Sequence, residues 1–285
     1  PRERRGRELI SSPMDSGGAG AMELSASNAR IKQLRRLSGR RSSRSEEGVF
    51  VIEGAVLVRE AINAGVDIDA IFVDVARGGL VAEFGELHPD VWTVAEGVLA
   101  SVLPAVSAQP VGAVASTSLE RAVDDLVVAA VDSGRPVLVL VEVADPGNVG
   151  TLLRAAESSG CGGVVLAGSG VDLYNPKVVR ASAGSLFRLP VATAPDVGAA
   201  QVAIAELGMP MIAAVARDGV PHLEATLGGP VAIVLGNEAH GLSDEVVAAC
   251  DAAVTITMDG PAESLNVAMA GTVLCFEALR RRRSD

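Results

Sequence analysis

ESLNVAMAGTVLCFEALRRRR, residues 263–283, reads as a polar knuckle running straight into a helix. Val267, Ala270, Gly271, Leu274, Ala278 and Leu279 recur at three- and four-residue spacing, so one side of that helix faces a core. Ser264 stands where a helix cap is expected. The small residues Ala268, Ala270 and Gly271 allow close backbone approach. Two more glycine- and amide-rich turns lie upstream, each just after an apolar run: Asp145-Pro-Gly-Asn-Val-Gly150 and Leu235-Gly-Asn-Glu-Ala-His-Gly241. Three such knuckles in one half of the chain point to a single site.

Working outward, the second half alternates apolar strands with helices. Strands are expected at 137–143, 163–167, 189–192, 211–216, 231–235 and 254–258, and helices at 149–159, 177–186, 197–207 and 244–249. Strands this apolar, separated by helices, imply a parallel sheet covered on both faces. Ligands in such sheets sit at the carboxyl ends of strands, where all three knuckles fall. The first half reads as a smaller α/β unit with strands at 50–53, 70–75, 91–94 and 111–115. It is entered through a helix over 27–37 and a basic, Ser-rich loop over 39–47. The expected organisation is a tail over 1–23 that precedes or overlaps a native start at Met22, a domain over 24–118, a linker over 119–135 and a domain over 136–285.

Composition narrows the function classes. The chain has 285 residues, 49% hydrophobic but only 2% aromatic, so its core is built from Val, Ala, Leu and Ile. No apolar run approaches the ~20 residues that cross a bilayer, and no secretory core opens the chain. Three isolated cysteines and three histidines give no metal-ligand spacing. A cytoplasmic protein without metal or disulfide is expected. Net charge is −11, yet residues 1–44 carry eleven basic against four acidic residues, which leaves −18 for the remainder. Between Asn28 and Arg44 there are seven basic residues and no acid: Arg30, Lys32, Arg35, Arg36, Arg40, Arg41 and Arg44. Such a stripe suits a phosphate backbone, although a solvated helix face produces the same pattern. Arg280 to Arg283 add a second basic cluster.

Among the motifs, Gly168-Ser-Gly170 after the 163–167 strand imitates a dinucleotide fingerprint. Its third glycine would stand at 173, where the chain has Leu173, and no Walker loop exists elsewhere, so a nicotinamide-dependent oxidoreductase is disfavoured. Asp145-Pro-Gly reads as a turn with Asn148 as a helix cap. Arg154 is expected to be buried on a Leu/Ala helix, which marks it as functional. Lys177 and Arg180 read as the wet face of a helix or as further phosphate contacts.

Taken together and in order, Asn148-x5-Arg154, Leu235-Gly-Asn-Glu-Ala-His-Gly-Leu-Ser243 and Ser264-Leu-Asn-Val-Ala268 resemble the three motifs of the SpoU (TrmH-type) RNA 2′-O-ribose methyltransferases of the SPOUT class. Asn175 to Pro190 resembles the stretch between the first two motifs. The first hundred residues are similar, more loosely, to a ribosomal-protein-L30e-like substrate domain. The resemblance implies a C-terminal trefoil knot with a parallel sheet, where ordinary chain-connection rules draw an open one. It implies S-adenosylmethionine bound by Gly236, Asn237, Ile256, Met258, Leu265 and Asn266. Arg154, Asn148, Glu238, Ser264 and Asn266 are the catalytic residues it implies. It further implies a homodimer acting on RNA, with 23S ribosomal RNA the expected substrate and tRNA the alternative. An inert RNA-binding protein of the same fold is the remaining alternative. An arginine is essentially never deprotonated, so Arg154 suits a clamp on the target phosphate better than a general base.

Overall fold

The computed structural model describes residues 23–104, 109–261 and 264–284. The tail before Glu23 and the knuckle residue Glu263 therefore lie outside the described residues. Two compact units meet between Ser116 and Thr117.

In the first unit, α1 (Ala29–Gly39) starts at Asn28, whose side chain accepts the Arg30 N–H at 2.9 Å. It buries Ile31, Leu34 and Leu37 at the expected spacing. The stretch expected as a basic loop is instead a helix, α2 (Arg41–Glu47), stopped by Gly48 in the left-handed region. The four strands β1 (Val49–Glu53), β2 (Ile68–Asp74), β3 (Val91–Val94) and β4 (Val111–Ser116) form a mixed sheet in the order β1-β4-β2-β3. Helices α3 (Ala55–Asn63), α4 (Gly78–Leu87) and α5 (Val98–Val102) connect them. Leu24, the apolar side of α1, Val51, Phe72, Val94 and Leu99 share one core.

The second unit is built on eight strands, every neighbouring pair parallel, in the order β10-β12-β9-β11-β6-β7-β8-β5. The central ones are β6 (Val137–Val141), β7 (Gly163–Ala167), β8 (Val191–Ala194), β9 (Met211–Ala214) and β11 (Ala232–Leu235), with β12 (Ala252–Thr255) beyond β9. Two-residue edge strands, β5 (Glu120–Arg121) and β10 (Val220–Pro221), carry no periodic signal and were not expected. Helices are α6 (Val123–Asp132), α7 (Pro146–Ser159), α8 (Pro176–Ala181), α9 (Val197–Glu206), α10 (Asp244–Ala248) and α11 (Val267–Arg282). Residues 119–135 thus contribute a strand and a helix to this unit. The helix expected over 177–186 ends at Ala181, because Ala183 and Gly184 both take positive φ, at 49° and 89°.

The position of α11 settles the connectivity. β12 lies on the far side of β9, yet α11, which follows it, packs on α7 and β11. The chain therefore turns back past β9 to β11 and α7, a return that the knotted class requires. Gly271 permits the contact: a Cβ there would lie 2.3 Å from Leu152 Cδ2 and 2.7 Å from Leu235 Cδ1. Gly150 does the same on the other side of α7, where a Cβ would stand 2.4 Å from that of Ala181.

In the second basic cluster, at the end of α11, Arg280, Arg281 and Arg282 have partners within the unit while Arg283 is exposed. Arg280 and Arg281 both pair with the buried Glu277 at 2.7 Å, and Arg281 also reaches Leu223 O. Arg282 donates to Gly160 O at 3.0 Å and Ser159 O at 2.7 Å, satisfying carbonyls at the C-terminus of α7. Arg280, with Arg281 beside it, outweighs the effect of burial and holds the Glu277 carboxyl at about 2. A carboxyl depressed in the folded state contributes stability above its unfolded value, near 4.5, and loses it as pH falls toward about 2. Glu277→Gln should cost about 1–3 kcal/mol at neutral pH. In urea unfolding the gap between wild type and variant should close as pH is lowered through that window. A gap that stays constant down to the acid end would remove the ion-pair account.

Candidate functional site

The three knuckles converge at the carboxyl ends of β6, β9, β11 and β12. Asp145 caps α7: its Oδ1 accepts the N–H groups of Gly147 at 2.6 Å and Asn148 at 3.1 Å. Asn148, expected as the cap, is instead inside the first turn. The missed signal was Asp followed by Pro, a cap and first-turn pair. Lys177 Nζ lies 2.9 Å from Asp145 Oδ2, and this ammonium, helped by the two backbone donors, holds the Asp145 carboxyl below its usual range.

The second knuckle closes on itself. Asn237 and Gly241 exchange backbone hydrogen bonds of 3.2 and 2.9 Å. A Cβ on Gly236 would sit 2.3 Å from the Gly241 carbonyl carbon, so only glycine fits the entry. Asn237 Nδ2 donates to Glu142 O at 2.8 Å. Glu142 itself holds φ at 51°, an uncommon conformation for a side-chain-bearing residue and one found at sites whose surroundings enforce it.

One hydrogen-bonded chain ties all three knuckles together. The Glu238 carboxylate accepts the backbone N–H groups of Ala144 and Asp145, each at 3.0 Å, and Asn148 Nδ2 at 2.8 Å. Asn148 Oδ1 accepts Asn266 Nδ2 at 3.2 Å. Asn266 Oδ1 in turn caps α11, accepting Ala268 N at 2.9 Å and Met269 N at 3.3 Å. Ser264 is therefore not the cap; it lies two residues earlier on the wall of a cavity. Burial pushes Glu238 upward, but the Ala144 N–H, the Asn148 amide and the Asp145 N–H together outweigh it and keep the carboxyl below its ordinary value. Glu238 is thus an ionised acceptor whose contacts are turned toward the α7 N-terminus.

Beside this chain lies a cavity of about 490 Å³, within the range of small-molecule sites. All six residues expected to hold the cofactor, Gly236, Asn237, Ile256, Met258, Leu265 and Asn266, line it. Ala214 to Ala216, Ala270 and Leu274 complete its apolar wall. An apolar slot rimmed by strand-end backbone groups fits an adenine ring and a thioether-like chain. Among the described residues no cluster of three or more His, Cys, Asp or Glu could hold a metal ion.

Arg154 departs from expectation. It is exposed, not buried, and is not on the cavity wall. Leu152, Leu153, Ala155 and Ala156 take the buried positions of α7, leaving Thr151, Arg154 and Ser158 on an outward strip. On neighbouring α11, Met269 (62% exposed) and Phe276 (45%) are outward too, as is Leu265 (36%) just before the helix. Of the small residues expected to allow close approach, Ala268 and Gly271 are buried within the unit.

The basic stripe is divided. Lys32, Arg35, Arg36, Arg40 and Arg41 are exposed on α1 and at the start of α2, with Arg36 paired to Glu47 at 3.1 Å. Arg30 stacks its guanidinium 4.3 Å from the Trp92 ring centre. Arg44 leaves the stripe: it is 4% exposed and donates to Leu37 O at 2.5 Å, fixing the end of α1. Lys177 belongs to the Asp145 pair, and Arg180 is half-buried on α8.

Comparisons with known proteins agree with this geometry. Residues 135–276 match the model of the SpoU rRNA Methylase family, and residues 28–113 match the MRM3-like substrate binding domain. The 23S rRNA (uridine(2479)-2′-O)-methyltransferase of Streptomyces viridochromogenes is 30% identical over 93% of this chain and 94% of its own length. The 23S rRNA (guanosine(2553)-2′-O)-methyltransferase RlmP of Bacillus subtilis (strain 168) is 28% identical over 88% of this chain and 96% of its own. The crystal structure of an AdoMet-bound rRNA methyltransferase from Sinorhizobium meliloti superposes with a TM-score of 0.80 at 27% identity, covering 91% of this chain and 97% of that one.

The hydrogen-bonded chain makes an order of stabilities testable. Asn148→Ala leaves Asn266 Nδ2 without its protein acceptor and removes one donor from Glu238, costing about 0.5–1.5 kcal/mol because both bonds are exposed. Asn148→Asp, the closer shape, should be worse, because it sets a second carboxylate against Glu238. Adding Glu238→Gln to Asn148→Asp should recover part of the loss. Denaturant midpoints falling in the reverse order would show that Asn148 is not oriented as described.

Proposed function

The chain belongs to the SpoU rRNA methylase family, and we propose that it methylates a ribose 2′-hydroxyl of 23S ribosomal RNA using S-adenosylmethionine. The observation that carries this reading is one cavity of cofactor size lined by the second and third knuckles, to which Asn148 of the first is tied through Glu238 and Asn266. When bound, S-adenosylmethionine supplies an electrophilic methyl group on a sulfonium. Ile256, Met258 and Leu265 bury the flat base, while strand-end backbone groups near Gly236 read its edge. Asn266 and Glu238 keep the cavity rim fixed, so little reorganisation accompanies reaction.

Arg154 is the residue we assign to the RNA. Its guanidinium grips a phosphate next to the target ribose in bidentate fashion, orients the 2′-oxygen and favours the negative charge that develops there. Exposed on α7 and off the cavity wall, it acts from the partner in a homodimer. The outward Met269, Phe276 and Leu265 beside α7 give that dimer its apolar contact, and a two-fold arrangement is the commonest way to cover such a patch. The domain over 24–118 holds RNA through the exposed cations of α1 and α2, and 136–285 carries the methyltransferase chemistry. Among the described residues no helix is long and apolar enough to cross a membrane; we place the protein in the cytoplasm with its ribosomal substrate.

Mapping 2′-O-methyl groups in 23S RNA, with and without the protein, tests the reaction directly. One new methylated ribose that depends on S-adenosylmethionine is expected; an unchanged map would refute the proposal. RNA affinity should fall steeply with salt, and the combined change of Lys32, Arg35, Arg40 and Arg41 to Ala should flatten that slope by about two to four units of log K against log [salt]. Arg154→Ala and Leu265→Arg, each inactive alone, should regain activity when mixed and allowed to exchange subunits. No recovery after verified exchange would mean that each site is built within one subunit.

A further inference from the structure

Two buried sulfurs have no part in that reaction. Cys161, in the turn after α7, and Cys275, in the middle of α11, bring their Sγ atoms to 3.9 Å across 114 residues of chain. Cys161 is 4% exposed and Cys275 fully buried. The third cysteine, Cys250, lies on another element and donates to Val246 O at 3.3 Å.

We propose that Cys161 and Cys275 are a paired oxidative-modification site, a dithiol that hydroperoxides convert to a disulfide and whose closure disturbs the cofactor cavity. The surroundings favour Cys161 as the sulfur that reacts first. Cys161 Sγ donates toward Cys275 Sγ and lies 3.4 Å from Ser159 Oγ, and the Arg282 guanidinium on Ser159 O and Gly160 O adds positive charge. These neighbours, Cys275 foremost, lower the Cys161 thiol, while the same pairing raises Cys275. In the first step the Cys161 thiol gives up its proton and the thiolate attacks one oxygen of the hydroperoxide; the O–O bond breaks, the departing alkoxide or hydroxide takes up that proton to leave as alcohol or water, and Cys161 becomes a sulfenic acid. In the second, the Cys275 sulfur attacks the Cys161 sulfur; the S–O bond breaks and water departs with the Cys275 proton. Two electrons pass from the thiols to the peroxide, and a reducing dithiol reverses the bond by exchange.

Closure has a mechanical consequence. A disulfide spans about 2.05 Å, so the sulfurs must approach by about 2 Å. α11 cannot slide bodily onto α7, because Gly271 already meets Leu152 and Leu235 with no room for a Cβ. The approach instead tilts α11 about that contact and carries with it Leu274, which lines the cavity. This cofactor effect rests on the function proposed above; the thiol chemistry does not.

The experiment treats the folded protein with hydrogen peroxide, then counts thiols by alkylation after denaturation and weighs the protein. The expected result is a fall from three thiols to one, the survivor being Cys250, with a cross-linked peptide joining Cys161 to Cys275. S-adenosylmethionine affinity by calorimetry should drop at least tenfold and return with dithiothreitol. Cys275→Ala should abolish cross-link and affinity change together, and Cys250→Ser should leave both. Three persistent thiols, or Cys161 ending as a sulfinic acid beside a free Cys275, would overturn the pairing without recourse to any variant. Cross-linked protein that binds the cofactor like the reduced form would overturn the coupling. Reduced protein that binds no S-adenosylmethionine would count against the proposed cofactor alone, while the thiol count still decides the modification.

Discussion

The amide of Asn148 is the hinge-pin of this structure. It gives its hydrogen to Glu238 and takes one from Asn266, and so joins segments that the chain makes far apart. Each partner has a second duty that depends on the first. Glu238 satisfies the backbone donors of Ala144 and Asp145, and Asn266 starts α11. This hydrogen-bonded chain lies at the surface, with Glu238 and Asn266 exposed and Asn148 half-buried, so it fixes the relative placement of the three loops by directed hydrogen bonds. The core behind it is built of Val, Ala, Leu, Ile and Met.

Close helix contacts supply the second constraint. With almost no aromatic bulk in the second unit, α7 is held between α8 and α11 by absent side chains as much as by present ones. Gly150 against Ala181, and Gly271 against Leu152 and Leu235, each admit no extra carbon. These contacts position Asn148 at one end of α7, and Arg282 closes the other by satisfying its last carbonyls. The loop that holds Gly236 obeys the same rule, its backbone passing too near Gly241 for any side chain.

Much of this was legible in the sequence because it depends on local pattern. The apolar runs at 163–167 and 91–94 match their strands end for end, and the motif order identified both the family and the cavity residues. What escaped depends on tertiary context. Ser264 and Asn266 are equally good caps by composition, and only the Asn148 contact decides for Asn266. Arg44 belongs to the basic stripe by spacing, but the short helix α2 turns it inward to Leu37 O. Arg154 was expected inside because its neighbours are apolar; helical phase places it on the outward strip. The two-residue strands β5 and β10 exist only through their pairing partners.

The route of the chain also governs the order in which the site can come into being. The bond between Asn148 and Asn266 spans 118 residues, and α11 follows β12 in the chain. Contacts of such long sequence separation form late, because the entropy of closing the intervening loop must be met first. During synthesis, β6, α7 and β7 are in place while the residues that complete the cavity have yet to be made. Until then α7 exposes Leu152 and the neighbouring apolar positions that α11 will cover, and Glu238 has no ordered rim to support. A chain made only that far has no complete cavity, and the apolar side of α7 stays uncovered until α11 arrives.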